Sequence, residues 1–158
     1  EPVEEADFPE LVRETLAPYN QGGERVRLCL EAIPPFPLRR VSIKRLLTNL
    51  VENALNHGGG DAVEVVASLA GDHSAPYVVL SVLDRGNGID PAELDSIFNP
   101  FIRGDRARGG RGTGLGLAIV KRIAALHGGS VELRNRSGGG LEARVRLPLG
   151  LLLPRDAV

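Results

Sequence analysis

Three asparagines, Asn49, Asn53 and Asn56, follow one another at i, i+4 and i+7 in a segment that otherwise reads as an amphipathic helix. At helical spacing Ile43, Leu46, Leu47, Leu50, Val51 and Ala54 fall on one stripe, which must face a sheet. The asparagines form a second stripe beside it. Asn53 lies nearest the apolar edge, so its amide oxygen emerges where a cleft opens between helix and sheet. Asparagine is a poor helix former because its side chain competes for backbone hydrogen bonds. Three on one stripe lower helix propensity without adding packing. Contact with a ligand accounts for such a stripe; an ordinary solvated face is the competing account.

Further along, Val82-Leu-Asp84 leaves an apolar run, which sets Asp84 at the end of a buried strand. Gly86 and Gly88 follow, removing side chains where the backbone must turn tightly and approach a ligand. An ordinary Asp-x-Gly turn explains the same residues. Gly112-Thr-Gly114-Leu-Gly116 opens another helical segment, whose free N–H groups and dipole favour an anion. Neither a P-loop pattern nor Gly-x-Gly-x-x-Gly occurs, so other glycine-loop readings fit worse. Between the glycine stretches lie Arg103, Arg106, Arg108 and Arg111 against one acid, Asp105, loosened by Gly104, Gly109, Gly110 and Gly112. They read as a lid that folds over phosphates, or as a solvated loop. Phe98 and Phe101 are expected to anchor the base of that segment in the core.

In chain order, Asn49-Leu-Val-Glu-Asn53-Ala-Leu-Asn-His57, Asp84-Arg-Gly86-Asn-Gly88-Ile89, Phe98-Asn-Pro-Phe101 and Gly112-Thr-Gly114-Leu-Gly116-Leu117 resemble the N, G1, F and G2 boxes of sensor histidine kinases. Those boxes build the catalytic ATP-binding domain of that family. Ser42-Ile-Lys-Arg45 and Pro100-Phe-Ile-Arg-Gly-Asp105 are similar to the osmosensor-type kinases of the EnvZ class. The resemblance runs from about Phe8 to Leu147 and implies ATP and Mg²⁺ as cofactors. It makes Asn53 the Mg²⁺ ligand, since an amide oxygen serves a hard cation when phosphate oxygens and water complete the octahedron. It places Asn49, Asn56, Gly86, Gly88, Ile89, Arg103, Gly104, Thr113, Gly114, Leu115, Gly116 and Leu117 at the nucleotide as well. His57 falls where many such kinases have an aromatic residue, so it stacks on the nucleotide or hydrogen-bonds to it; a helix-end histidine favoured by the dipole is the alternative. Asp84 would accept a hydrogen bond from the exocyclic amine of adenine, where the carbonyl of guanine would leave a buried carboxylate unpaired. Arg103, beside Phe101, is the leading candidate for bidentate contact with the phosphates. Asn49 and Arg103 are the candidates for catalytic roles.

By the same resemblance the γ-phosphoryl group goes to a histidine on a separate dimerisation domain, and a response-regulator aspartate receives it next. None of the histidines here has the acceptor's surroundings: Gly58 follows His57, Ser74 follows His73 and Gly128 follows His127, where the family has an acid. The chain is therefore expected to bind Mg-ATP without phosphorylating itself. Relatives that hydrolyse ATP (gyrase, MutL and Hsp90 types) tend to carry an acidic residue near Asn49, where it activates water. An amide cannot take that proton, so hydrolysis should be slow unless Glu52, one turn away, serves instead. A protein-serine kinase of the same fold and a non-catalytic ATP-gated module are the rival readings.

These groups need a scaffold. Phe8–Tyr19 reads as a short helix, Val26–Ala32 as a strand, and Pro34-Pro-Phe-Pro37 as a stiff connector that breaks any regular element. Ser42 reads as the N-cap of a helix ending at His57 before Gly58-Gly-Gly60. Val63–Leu69 alternates as a half-buried strand, and Val78–Leu83 is apolar enough for a central strand covered on both faces. Pro91–Ile97 reads as a short helix, Leu115–His127 as a longer one, and Val131–Asn135 with Leu141–Leu147 as a hairpin. The expected fold class is α+β, a two-layer α/β sandwich of the Bergerat ATP-binding type, with three helices over a mixed sheet of about five strands. Residues 1–7 are read as the remnant of a linker, 8–148 as the catalytic domain and 149–158 as a tail.

With 158 residues, 42% of them apolar, the chain can bury one core. No apolar run reaches the ~18–20 residues of a membrane helix, so no direct membrane contact is expected. A net charge of −1 gives no case for nucleic acid. A single cysteine, Cys29, rules out an internal disulfide and suits a reducing cytoplasm. The acidic start Glu1-Pro-Val-Glu-Glu does not read as a signal peptide, and the absence of methionine suggests an excised or processed piece. The expected setting is the cytoplasmic part of an inner-membrane sensor.

Overall fold

The computed structural model describes residues 1–94 and 115–150. Its elements run β1 (Glu4–Ala6), α1 (Phe8–Leu16), β2 (Val26–Leu30), β3 (Phe36–Leu38), α2 (Arg40–His57), β4 (Val63–Ala70), β5 (Tyr77–Leu83), α3 (Leu115–Leu126), β6 (Ser130–Asn135) and β7 (Leu141–Pro148). Five strands form one mixed sheet in the order β2-β4-β5-β7-β6, parallel between β2 and β4 and antiparallel elsewhere. The short β1 and β3 pair antiparallel beside it.

Period-two alternation decides which face of the sheet is covered. Val65, Ala67, Val78, Leu80, Val82, Ala143, Val145 and Leu147 are buried. Their neighbours Val66, Val79 and Leu83 are half-buried on the opposite face. All three helices pack on the buried side: α1 against β2, α2 against β4 and β5, α3 against β6 and β7. Central position was therefore read correctly for β5, but it is covered on one face and not two. Its outer face lies in a lattice of charged side chains, with Arg144 Nε bonded to Glu142 at 3.0 Å and Arg146 to Glu132 at 3.2 Å.

The apolar stripe of α2 is buried as its spacing requires: Ile43, Leu46, Leu47, Leu50, Val51 and Ala54. Each Ile, Leu or Val among them contributes about 1.5–3 kcal/mol relative to exposure, against at most about 0.7 kcal/mol lost per asparagine in a helix. Packing wins, so the asparagines ride on a helix they do not stabilise.

Two local readings need correction. Ser42 is not the N-cap: α2 starts two residues earlier, behind Arg39, whose side chain makes no capping bond. A carboxylate from elsewhere does that work, because Glu1 accepts from the Val41 and Ser42 N–H groups and from the Ser42 hydroxyl. Nor does Pro34–Pro37 exclude regular structure, since Phe36–Leu38 forms β3 and Pro37 lies opposite Glu5. A short strand at a sheet edge tolerates the missing N–H, and Phe36 packs its ring 6.0 Å from that of Phe8. Elsewhere Pro18 reduces the end of the first helix to a 3-10 turn over Ala17–Asn20. The segment from Pro91 begins as a 3-10 turn, Pro91–Glu93, capped by Asp90; its expected continuation to Ile97 lies outside the described residues.

Candidate functional site

Asp84 is set by the sheet. Where the pairing of β5 with β7 would continue, its N–H donates to the Leu141 carbonyl at 3.0 Å. The Leu141 N–H returns to the side chain, reaching Asp84 Oδ1 at 3.1 Å, and the Gly86 N–H reaches the same oxygen at 2.9 Å. The residue is 4% exposed. One carboxylate oxygen is thus committed to the backbone while the group stands in the wall of a cavity of about 270 Å³.

Both ends of the chain's middle converge on that cavity. From α2 come Asn53 and His57; from the turn after β5 come Asn87, Gly88 and Ile89. Leu117 from the first turn of α3 and Leu141 from β7 close the apolar side, each 6% exposed. The turn can lie this close to α2 because Gly86 has no side chain: a Cβ there would sit 1.9 Å from the His57 carbonyl oxygen. Gly58 allows the same approach from the helix side, where a Cβ would lie 3.2 Å from Asp84 Cβ.

Of the residues singled out in the sequence, Asn53, His57, Asp84, Gly88, Ile89 and Leu117 share the cavity. Asn49 sits one turn before Asn53, half-buried, and its Nδ2 is enclosed without a hydrogen-bond partner among the described residues. Asn56 is exposed on α2, and Gly86 and Gly116 lie beside the cavity rather than in its lining. Leu115 begins α3. Phe98, Phe101, Arg103, Gly104, Arg106, Arg108, Arg111, Gly112, Thr113 and Gly114 lie outside the described residues.

Glu52 faces away from this site. Its carboxylate accepts the Tyr19 hydroxyl at 2.7 Å, on the α1 side of α2. Burial, then this bond, pushes the Tyr19 phenol well above its ordinary range. The acid that could have stood in for the missing base near Asn49 is therefore engaged elsewhere.

Sequence reasoning missed the loop between β6 and β7, which it read as a plain hairpin turn. Arg136 Nη1 donates to the Asp84 carbonyl at 2.7 Å and Arg85 Nη1 to the Gly139 carbonyl at 3.2 Å. Asn135 bonds the backbone of Ile89 through both ends of its amide. The glycine run Gly138-Gly-Gly140 was the available signal, since such a run marks close backbone approach as readily as it marks a turn.

Comparison with known proteins bears on the same region. Residues 39–151 match the family described as histidine kinase-, DNA gyrase B-, and HSP90-like ATPase. The sensor histidine kinase GtrS of Pseudomonas aeruginosa is 40% identical over 152 residues, covering 96% of this chain and 30% of GtrS. The solved histidine kinase domain of the E. coli osmosensor EnvZ is 35% identical, with a TM-score of 0.72 over 94% of this chain and 90% of that one. The nucleotide-free catalytic domain of the histidine kinase ThkA gives a TM-score of 0.76 at 26% identity, covering 94% and 99%. The chain thus spans less than a third of GtrS and nearly all of the two isolated domains. It belongs to the histidine kinase-, DNA gyrase B- and HSP90-like ATPase family, as the ATP-binding catalytic domain of a sensor histidine kinase.

Proposed function

We propose that the chain binds Mg-ATP in the cavity between α2 and the turn after β5, and passes the γ-phosphoryl group to a histidine on a separate dimerisation domain. A response-regulator aspartate would receive it next, in a two-component pathway whose sensor presents this domain to the cytoplasm. Among the described residues no helix is long and apolar enough to cross a membrane. Residues 8–148 would be the catalytic domain, with residues 1–7 packed onto it through β1 and the Glu1 cap of α2 and a tail following over 149–158.

What supports the reading is the convergence of an amide from α2, Asn53, with a backbone-anchored carboxylate, Asp84, on one cavity. Asp84 would select adenine: with Oδ1 held by two N–H groups, its other carboxylate oxygen is left to accept from the exocyclic amine. The donor set suits Mg²⁺ carried on the triphosphate. Asn53 offers one neutral, hard oxygen, and among the described residues no cluster of three or more His, Cys, Asp or Glu could hold an ion by itself. When bound, the metal neutralises phosphate charge that would oppose attack. The protein's own work is positioning. Asn49 brings an amide donor that no described residue engages, and the N-terminal end of α3, at Leu115, offers the N–H groups of a helix start. His57, Gly88, Ile89 and Leu117 would enclose the nucleotide, with Gly86 permitting the turn. Arg103, Gly104, Thr113 and Gly114 are proposed on the sequence alone.

Titration with non-hydrolysable ATP and GTP analogues, with and without Mg²⁺, tests this. Asp84→Ala should erase the preference for adenine, a loss of about 10- to 100-fold for a hydrogen bond to a charged group. Asn53→Ala should remove the metal dependence and leave base preference intact. Unchanged base selectivity in Asp84→Ala together with unchanged Mg²⁺ dependence in Asn53→Ala would sink the assignment.

A further inference from the structure

Asn135 is the last residue of β6, is exposed, and does not line the nucleotide cavity. Its carboxamide nevertheless pairs with Ile89 in both directions. The Ile89 N–H donates to Asn135 Oδ1 at 2.8 Å, and Asn135 Nδ2 donates to the Ile89 carbonyl at 2.7 Å. This is the exchange that a residue of an adjacent strand would make with its backbone, here made by a side chain. Gly88 is fitted to the same amide: a Cβ there would lie 2.4 Å from Asn135 Oδ1, and its φ of +76° suits glycine. The next residue, Arg136, holds the Asp84 carbonyl, and Leu141, opposite Asn135 in the hairpin, holds the Asp84 carboxylate. The segment Asp84–Ile89 is therefore braced along its length by the β6–β7 hairpin.

We propose that Asn135 is a positioning residue for the nucleotide: its amide clamp fixes the rim Gly88–Ile89 in the binding conformation before the ligand arrives. The proposal rests on the ATP reading above. A rim left loose must be ordered at the moment of binding, and fixing one residue then weakens affinity by roughly five- to thirtyfold. Both ends of the amide are needed. Aspartate has the same shape and keeps an acceptor for the Ile89 N–H, but it sets an anion against the Ile89 carbonyl.

Asn135→Ala and Asn135→Asp are titrated with a non-hydrolysable ATP analogue and Mg²⁺ beside the wild-type chain. Exchange of the Ile89 amide is followed in the free proteins, and unfolding in urea is recorded. The expected result is roughly five- to thirtyfold weaker binding by both variants, faster exchange at Ile89 in both, and urea midpoints close to wild type. Affinity within about twofold of wild type in both variants, or unchanged exchange at Ile89, overturns the proposal. So does weaker binding accompanied by loss of cooperative unfolding in both, because Asn135 would then be holding the fold and not the rim. A wild-type chain that does not bind the analogue overturns the ATP reading itself, and the clamp proposal with it.

Discussion

Asp84 is held through both its carbonyl and its Oδ1, and that makes its surroundings sensitive to single added carbons. Its carbonyl and Oδ1 are both engaged by protein groups, and the β6–β7 loop lies directly against it. Two glycines of that loop make a matched pair. Gly138 has φ +85° with its nearest neighbour atom 3.8 Å from an added Cβ, and Gly140 has φ +109° with the Asp84 carbonyl oxygen only 2.0 Å away. Alanine at Gly138 meets only the left-handed backbone penalty, about 1 kcal/mol. At Gly140 the same penalty is joined by overpacking against backbone that cannot rotate aside, for a total of about 3 kcal/mol. Urea unfolding of the two single variants checks this, with Gly140→Ala expected to lose clearly more. Equal losses would mean that the loop does not press on Asp84 as its contacts imply.

The elements around the site are tied by groups far apart in the chain. The N–H of Arg39, just before α2, donates to His127 Nε2 at 3.0 Å, and the Arg39 guanidinium reaches the Leu126 carbonyl at 3.2 Å. His127 is 2% exposed and its Nδ1 bonds the Ile123 carbonyl at 2.9 Å, so the neutral ring joins the end of α3 to the start of α2. Burial pushes the His127 imidazole below its ordinary 6.5; the Ile123 carbonyl opposes this, nearby Arg39 adds to it and Glu1 counters it. Just below that value the unfolded chain binds more protons than the folded one, so stability is full above pH 6.5 and falls as pH drops through the window below it. The difference in unfolding free energy between wild type and His127→Gln should therefore narrow between pH 7.5 and pH 5; a constant difference contradicts the assignment. This joint also marks the limit of what local sequence determines. The stripe of α2, the alternation of β4 and the β6–β7 hairpin depend on neighbours in sequence and were legible. The start of α2 depends on Glu1 and His127, and β3 depends on pairing with β1, so Ser42 and Pro34–Pro37 misled. Asn53 and Asp84 stood out by type and spacing. Asn135 did not, since its partner is 46 residues away and nothing local sets it apart.

At the scale of the whole molecule, the histidines decide what the chain can do alone. His127 is closed, with both ring nitrogens engaged in hydrogen bonds. His73 lies in the turn before β5, at the opposite end of a 7-residue strand from Asp84, which separates it from the site by roughly 20 Å. His57 lines the cavity, but as an exposed residue at the end of α2 it is followed by the Gly58 turn rather than by an acid. The described cavity lining holds one carboxylate, that of Asp84, tied to two backbone N–H groups, and Glu52 is tied to Tyr19. On the proposed reading the described residues thus provide a seat for ATP but neither a suited phosphoryl acceptor nor a free base to activate water. Incubated with γ-labelled ATP, the 158-residue chain should carry no acid-labile label and should release phosphate well below the ~1 per second at the low end of ordinary turnover. An acid-labile label mapped to His57 would mean the chain is its own substrate, an acid-stable one would favour a serine kinase of the same fold, and fast phosphate release would show that a base serves the site after all.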